Sequence, residues 1–493
     1  MKKILFLNIA VVFILLACNK EERFNTDSSA ELTFSLDTLT FDTVFTELGS
    51  ATRTLKVFNP NDEAVRISRI NLENGDNSSF RINVDGIPTN DAREIEIAAN
   101  DSLYIFAEVT VDPDNPLSVS PFVISERLMF DLNGVERMVL LEAWGQNANY
   151  IPSRFNAGGG ALVSCDFNEV VFDDPKPYVI YGALFVDSCA LTIPEGTEIY
   201  VHGGLIRTGV LGQNYNDGFI IVLPNGRLNI EGTIENPVTI QGDRLEDRFD
   251  DEAGQWGGIW LTSTSRGNKF ENVIVKNAIF GVIVDSAATL VMENSQFLNS
   301  ISAGVTGIHS RISATNCLFA GNNGNAVQLE HGGSYVFTYC TLASYGVDNA
   351  ALRMTNLSCI GEPPSTCSVA IFNDLQANFR NSIIFGSRRD EIEFINAEQA
   401  DFDYNFENCI VRVDDLLDEE DTPDFFDNCI PCQPGQGESN IILFTDPGED
   451  DYTLDSLSIA DGFAVPILNQ NVDILGVTRD PNTPDVGCFE RIE

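Results

Sequence analysis

One phrase recurs through Phe270–Val411: a bulky residue, an Asn, then a small residue or Cys, followed by apolar alternation. Its copies are Phe270-Glu271-Asn272-Val273, Met292-Glu293-Asn294-Ser295, Ala314-Thr315-Asn316-Cys317, Phe337-Thr338-Tyr339-Cys340, Phe379-Arg380-Asn381-Ser382 and Phe406-Glu407-Asn408-Cys409. The Asn column, with Tyr339 in one copy, advances by 22, 22, 23, 42 and 27 residues. A repeat of this length rich in β-formers is the signature of a solenoid whose coils stack strand on strand. The 42-residue step reads as two coils. Between the phrases, Phe280–Ser286, Asn325–His331, Ala350–Asn356 and Ser368–Asp374 alternate apolar and polar residues. Period-2 alternation sends one set inward and the other outward. No 3.6-residue periodicity runs through the region, which excludes helical solenoids. The Asn residues then stack at one turn and are expected to hydrogen-bond along the column.

Upstream, strands at sandwich spacing occupy Leu39–Phe45, Thr52–Phe58, Val65–Leu72, Phe80–Val84, Glu94–Ile97, Leu103–Val111, Arg127–Leu132 and Arg137–Trp144. Asn59-Pro60-Asn61-Asp62 and Asn133-Gly134 are turn signals between them. Cys is absent here, so a disulfide-pinned antibody-type domain is excluded. Gly158-Gly159-Gly160 closes a linker.

The chain carries 29 basic and 73 acidic residues, a formal charge of −44. Such a surface repels nucleic acid, so no nucleic-acid partner is expected. An apolar fraction of 43% with 33 Phe supports a large core and excludes global disorder.

The N-terminus reads as a signal peptide, with Lys2-Lys3 before the apolar run Ile4–Leu16. That run is short for a membrane span. Leu15-Leu16-Ala17-Cys18 is similar to the bacterial lipobox, which implies that Cys18 becomes the lipidated N-terminal residue. Asn19-Lys20-Glu21-Glu22 resembles the export signal that sends Bacteroidota lipoproteins to the outer face of the outer membrane. The implied location is the cell outer membrane, lipid-anchored and surface-exposed, the membrane being reached through the anchor alone. Ten further Cys remain in a compartment that permits disulfides. Cys359 and Cys367 flank Pro363-Pro364 and are candidates to staple a loop. Cys429-Ile430-Pro431-Cys432, with Cys409, is a second candidate region, and Cys317 and Cys340 read as buried thiols.

The repeated phrase resembles the right-handed parallel β-helix of the pectate-lyase-like superfold. Leu191–Thr197, Leu228–Thr233, Asn236–Ile240 and Gly254–Trp260 resemble surface lipoproteins of the Bacteroidota that join an N-terminal Ig-like domain to such a helix. The resemblance implies an all-β chain: a signal peptide at 1–18, a tether at 19–29, an Ig-like β-sandwich at 30–147 and a right-handed parallel β-helix solenoid at 148–493. The sandwich resembles the Ig-like modules of centrosomal and ciliary proteins. The ending Asp473-Ile474-Leu475-Gly476, Arg479 and Pro484-Asp485-Val486-Gly487-Cys488-Phe489-Glu490 resembles the last segment of many bacterial β-helix proteins and is read as a structural cap.

Two places hold candidate chemistry. The loop Asp243–Trp260 clusters acids, and Asp243, Asp247, Asp250 and Asp251 are candidate calcium ligands. Interleaved Arg244 and Arg248, with no D-x-D-x-D-G spacing, favour a solvated loop, and no other cofactor is expected. Trp256 and Trp260 either offer a sugar-stacking face or pack on the barrel. Second, His309 and His331 stand 22 residues apart, one coil, with Glu330, Arg353, Asp374 and Asp285 near the same turn. His309, Glu330, His331 and Arg353 are the candidate catalytic residues of a polysaccharide lyase or glycoside hydrolase. The same residues are what any exposed turn column supplies, and basic residues in the coils are scarce. The reading adopted is binding or display without catalysis, with polysaccharide as the expected partner. The alternatives are a polysaccharide lyase or glycoside hydrolase, and an adhesin or structural surface protein with a protein partner.

Cys18→Ser is expected to release the protein from the outer membrane or leave it unprocessed. Mature Cys18→Ser protein still fractionating with outer membrane would contradict lipidation at this position.

Overall fold

The computed structural model of the chain describes residues 23–45, 52–110, 122–146, 148–151, 160–164, 169–203, 205–207, 214–216, 218–245, 249–360, 369–417, 426–431 and 441–491. Cys18, Cys367, Cys432 and Asp247 lie outside them. The chain divides into two compact units, Met1–Asn147 and Ala148–Glu493.

The first unit is a β-sandwich of two five-stranded sheets. One sheet orders its strands Thr33–Phe34, Arg53–Phe58, Ser102–Val109, Phe80–Val84 and Ile87–Pro88; the other orders Thr38–Phe45, Val135–Gln146, Phe122–Leu132, Val65–Leu72 and Asp91–Ile97. All pairs are antiparallel except Thr38–Phe45 with Val135–Gln146. Alternation sends Leu55, Val57, Ile67, Ile105 and Phe130 into one shared apolar core, with a slip at Ser68-Arg69 in Val65–Leu72. Asn133 and Gly134 both take positive φ, 54° and 78°, as a two-residue hairpin requires.

The second unit is a parallel β-helix. Each regular coil contributes three strands, so three sheets run the length of the stack. The first sheet includes Gly258–Leu261, Val282–Val284, 305–308, 327–330, Leu352–Thr355 and Ile392–Ile395. The second includes Asn268–Glu271, Thr289–Glu293, 310–315, 333–338, Leu375–Arg380 and Phe402–Glu407. The third includes Val273–Lys276, Gln296–Leu298, Leu318–Ala320, Thr341–Ser344 and Ile383–Gly386. Pairing along each sheet is parallel and in register, as in Phe270–Met292–Ala314–Phe337–Phe379–Phe406. This ladder is the bulky position of the repeat, and all its members are fully buried. Phe337, Phe379 and Phe406 stack nearly parallel at centroid distances of 5.0 and 4.9 Å.

The Asn column lies at the corner between the second and third sheets. Asn272, Asn294, Asn316, Tyr339, Asn381 and Asn408 have φ between 50° and 53°. That left-handed conformation costs most side chains about 1–2 kcal/mol, and Asn is among the few that tolerate it. Side-chain rungs are secondary: Asn316 Nδ2 donates to Asn294 Oδ1 at 3.1 Å, and Asn272 Nδ2 to the Gly232 carbonyl at 3.0 Å. The following Ser or Cys closes the corner. Ser295, Cys317, Cys340, Ser382 and Cys409 each donate to the carbonyl two residues before. In turn Ser382 Oγ accepts the Cys340 N–H (3.1 Å), and Cys429 Sγ accepts the Cys409 N–H (3.4 Å). Cys409 and Cys429 therefore serve the corner as thiols and are not disulfide-bonded, contrary to the expectation for them.

The 42-residue step is one coil, not two. Tyr339 N–H donates to the Arg380 carbonyl, and 333–338 pairs directly with Leu375–Arg380. The excess forms an antiparallel hairpin, Leu357–Ile360 with Val369–Phe372, projecting from the corner between first and second sheets. Hairpin arms alternate with the same period as coil strands, so Ser368–Asp374 mimics one. Cys359 on this hairpin is disulfide-bonded.

The described C-terminal residues cover a side of the solenoid. Outward residues of the third sheet are apolar, including Leu318, Ile383, Phe385 and Ile410, and Leu443, Phe444, Tyr452, Val486 and Phe489 bury them. The polar residues of the ending clamp this cover onto the Asn column. Arg479 is buried, pairs with Glu490 at 3.1 Å, donates to Asn316 Oδ1 at 3.0 Å and lies 4.0 Å from the centroid of the Tyr339 ring. Asp473 accepts from the N–H groups of Leu475, Val477 and Glu490. Gly487 has φ 95°, and a Cβ there would come within 2.6 Å of Ile383 Cδ1, so only glycine fits.

Asn408→Ala is expected to lower stability by about 1–2 kcal/mol, whereas Asn408→Gly retains most of it. Chemical denaturation checks this; equal losses in the two variants would refute left-handed geometry as the reason for the column.

Candidate functional site

At the corner between the first and second sheets, where the hairpin projects, a groove of about 660 Å³ crosses several coils. Its floor is one in-register, outward-facing ladder at the start of the second sheet: Thr289, Arg311, Ser334, Gln376 and Asp403. Arg266, His309, Asp374 and Asp401 line it from the corner itself. The rigid stack below fixes these positions, because Leu290, Ile312, Tyr335, Leu375 and Ala377 are buried beneath them. Asp374 Oδ1 accepts the Asp401 N–H at 3.1 Å. Tyr335 anchors the corner from inside, donating from its hydroxyl to the Gly332 carbonyl at 2.8 Å.

His309 and His331 occupy equivalent corner positions, since Ile308 pairs with Glu330 and Ser310 with Gly333. Both have left-handed backbones, φ 44° and 62°. His309 lines the groove; the His331 carbonyl accepts from Asn373 Nδ2 at 2.9 Å. Glu330 and Arg353 lie on the outer face of the first sheet and pair with each other at 3.5 Å, Glu330 also accepting from Gln328 Nε2 at 2.6 Å. The four candidates thus fall into two places, with the acid already held by a guanidinium and an amide. Asp285 accepts the Ser286 N–H in its own turn.

The acidic loop is occupied in the same way. Asp243 bonds His202 Nδ1 at 2.6 Å, Asp250 pairs with Lys276 at 2.5 Å, and Asp251 accepts from Asn299 Nδ2 at 3.1 Å. Among the described residues no group of three His, Cys, Asp or Glu side chains is placed to hold a metal ion. Trp256 is fully buried and its Nε1 donates to the Lys276 carbonyl at 2.9 Å. Trp260 is 38% exposed on the first sheet, in register with Ile221 and Ile283.

A strongly perturbed acid can mark a functional site. Glu391 is fully buried at the corner between third and first sheets, and burial pushes its carboxyl up to about 7. Its oxygens accept the N–H groups of Arg388 (2.6 Å) and Ala351 (2.8 Å), which makes it a brace for that corner, away from the groove.

The groove ladder was missed in the sequence, although a signal exists: each member precedes its column residue by five places, as Arg311 does Asn316.

A family described as the pectate-lyase like beta helix domain matches residues 164–281. No curated protein matches the chain. Among solved structures, a Porphyromonas gingivalis protein of unknown function is similar at 14% identity and TM-score 0.18, over 24% of this chain and 56% of its own. The chain therefore spans little more than half the length of that protein. The PapD-like domain 7 of human CEP192 is similar at 9% identity and TM-score 0.18, over 26% of this chain and 94% of its own. The catalytic unit of a GH87 alpha-1,3-glucanase from Streptomyces thermodiastaticus is similar at 9% identity and TM-score 0.18, over 73% and 77% respectively. Likenesses this weak carry no argument about activity. Among the described residues no helix is long and apolar enough to cross a membrane.

The raised Glu391 value fixes a sign. The folded protein keeps that proton up to about 7, whereas the unfolded chain loses it near 4.5. Stability relative to Glu391→Gln is therefore expected to fall as pH rises from about 4.5 to about 7, and to level off outside that window. A difference that rises or stays flat across it would contradict the burial account.

Proposed function

We propose that this chain is a lipid-anchored protein of the outer face of a Bacteroidota outer membrane, whose β-helix binds polysaccharide along the corner groove without cleaving it. The sandwich serves as an Ig-like spacer between the anchor and the helix. The observation that carries the reading is the ladder Thr289, Arg311, Ser334, Gln376 and Asp403, which presents one hydrogen-bonding side chain per coil. A linear polymer of hydroxyl-bearing units can add one contact per coil along such a track. Binding of this kind needs no tuned acid or base. The candidate acid Glu330 supports it, being engaged by Arg353 and Gln328.

A hydrolase reading draws on one observation: Asp374, Asp401 and Asp403 meet at one end of the groove. Glycoside hydrolysis uses a pair of carboxyl groups, one of them protonated.

A polysaccharide array followed by affinity measurement and a reducing-end assay separates the two. Retention of at least one polysaccharide is expected, weakened about tenfold or more in Arg311→Ala/Gln376→Ala as a charge-assisted and a neutral hydrogen bond are lost. No reducing ends should be released. Product that vanishes in Asp374→Asn/Asp403→Asn would establish the hydrolase instead. Absence of any polysaccharide binding would remove the glycan reading and leave a protein-binding adhesin.

A further inference from the structure

The groove's charges are segregated along the stack. Arg311 is flanked by Arg266 and His309 at one end, Asp403 by Asp374 and Asp401 at the other, and the neutral Ser334 and Gln376 lie between. We infer that the groove selects a glycan bearing both an anionic and a cationic substituent, the anion seated at Arg311 and the cation at Asp403. This rests on the glycan-binding reading above.

The cationic end is the informative one. In a chain with 73 acidic residues against 29 basic ones, an Arg has many carboxylates available to it. Arg353, Arg380, Arg388, Arg389 and Arg479 in this unit all have an ion pair. Among the described residues Arg266 and Arg311 have none, as is also true of Arg227 outside the groove; Arg266 Nε donates to the Ala287 carbonyl at 3.3 Å. Two guanidiniums kept from carboxylates in one groove suit a carboxylate, sulfate or phosphate, which Arg engages through paired N–H groups. At the other end Asp401 and Asp403 likewise have no ion pair among the described residues, and an ammonium group is their natural counterion.

Arg311 and Asp403 are three ladder steps apart, about 14 Å. That exceeds the Debye length of about 8 Å at physiological salt, so the two ends do not neutralise each other in the free protein. A purely anionic polymer gains at Arg311 and is repelled beyond Gln376; a purely cationic one meets the reverse. A polymer carrying both charges gains at each end, and its direction along the groove is fixed.

The test uses the mature full-length chain and four oligosaccharides of similar length, titrated calorimetrically: hyaluronan, N-deacetylated hyaluronan, chitosan and a neutral β-glucan. N-deacetylated hyaluronan is expected to bind at least tenfold tighter than hyaluronan or chitosan, and to lose that advantage at high salt. Arg311→Gln should abolish its advantage over chitosan, and Asp403→Asn its advantage over hyaluronan. Arg266→Gln serves in place of Arg311→Gln if that variant does not fold. Equal affinity for all four, or charge variants that leave the ranking unchanged, would overturn the two-charge inference while leaving glycan binding intact. No binding to any of the four would overturn the two-charge inference, while the glycan reading falls only if the polysaccharide array is negative as well.

Discussion

From Phe270 onward, each coil turns from its second sheet into its third through a single residue with left-handed backbone. That requirement repeats at Asn272, Asn294, Asn316, Tyr339, Asn381 and Asn408, and much else in the helix follows from it. The tight corner places a backbone N–H and a carbonyl where a one-carbon hydroxyl or thiol can serve both, which is why Ser and Cys follow the Asn. It also sets the register, so that Phe337, Phe379 and Phe406 stack inside. Tyr339 is the exception, and it shows what the exception needs. Its ring is fully buried, with the Arg479 guanidinium 4.0 Å from its centroid and its hydroxyl donating to the Val465 carbonyl at 3.1 Å. The C-terminal segment thus supports the one corner where the backbone preference is violated.

The same geometry produces the groove. Regular stacking aligns side chains that are remote in sequence, so Thr289 and Asp403 belong to one straight row. A row of this kind cannot bend to fit a compact ligand; it suits something long. The projecting hairpin stands at the same corner, between Thr355 and Leu375, and its exposed Val369 and Ile371 give that side an apolar margin.

The β-helix was legible because inward and corner positions are constrained every coil, by burial and by backbone conformation. The sandwich was legible for a similar reason: two-sided alternation leaves little freedom in register. Outward positions carry neither constraint, so Arg311 and Gln376 resembled any solvated side chain until stacking brought them into line. Glu330 and Arg353 show the same ambiguity: they belong to the outer face of the first sheet, Glu330 directly before the corner residue His331 and Arg353 on the next coil, where they pair with each other. The hairpin was read as a coil because its alternation has the period of a coil strand, and only its antiparallel pairing distinguishes it. The cover over the third sheet left a trace in the apolar outward residues Leu318, Ile383 and Ile410, which a solvent-facing sheet would not carry.

The central claim is that an intact sugar chain lies along the ladder. A crystal structure of the mature protein with a bound oligosaccharide tests it most directly. The account predicts an uncleaved chain running parallel to the stack, in contact with Arg311, Ser334, Gln376 and Asp403. A ligand seated on another face, or one cut beside Asp374, Asp401 and Asp403, would contradict it.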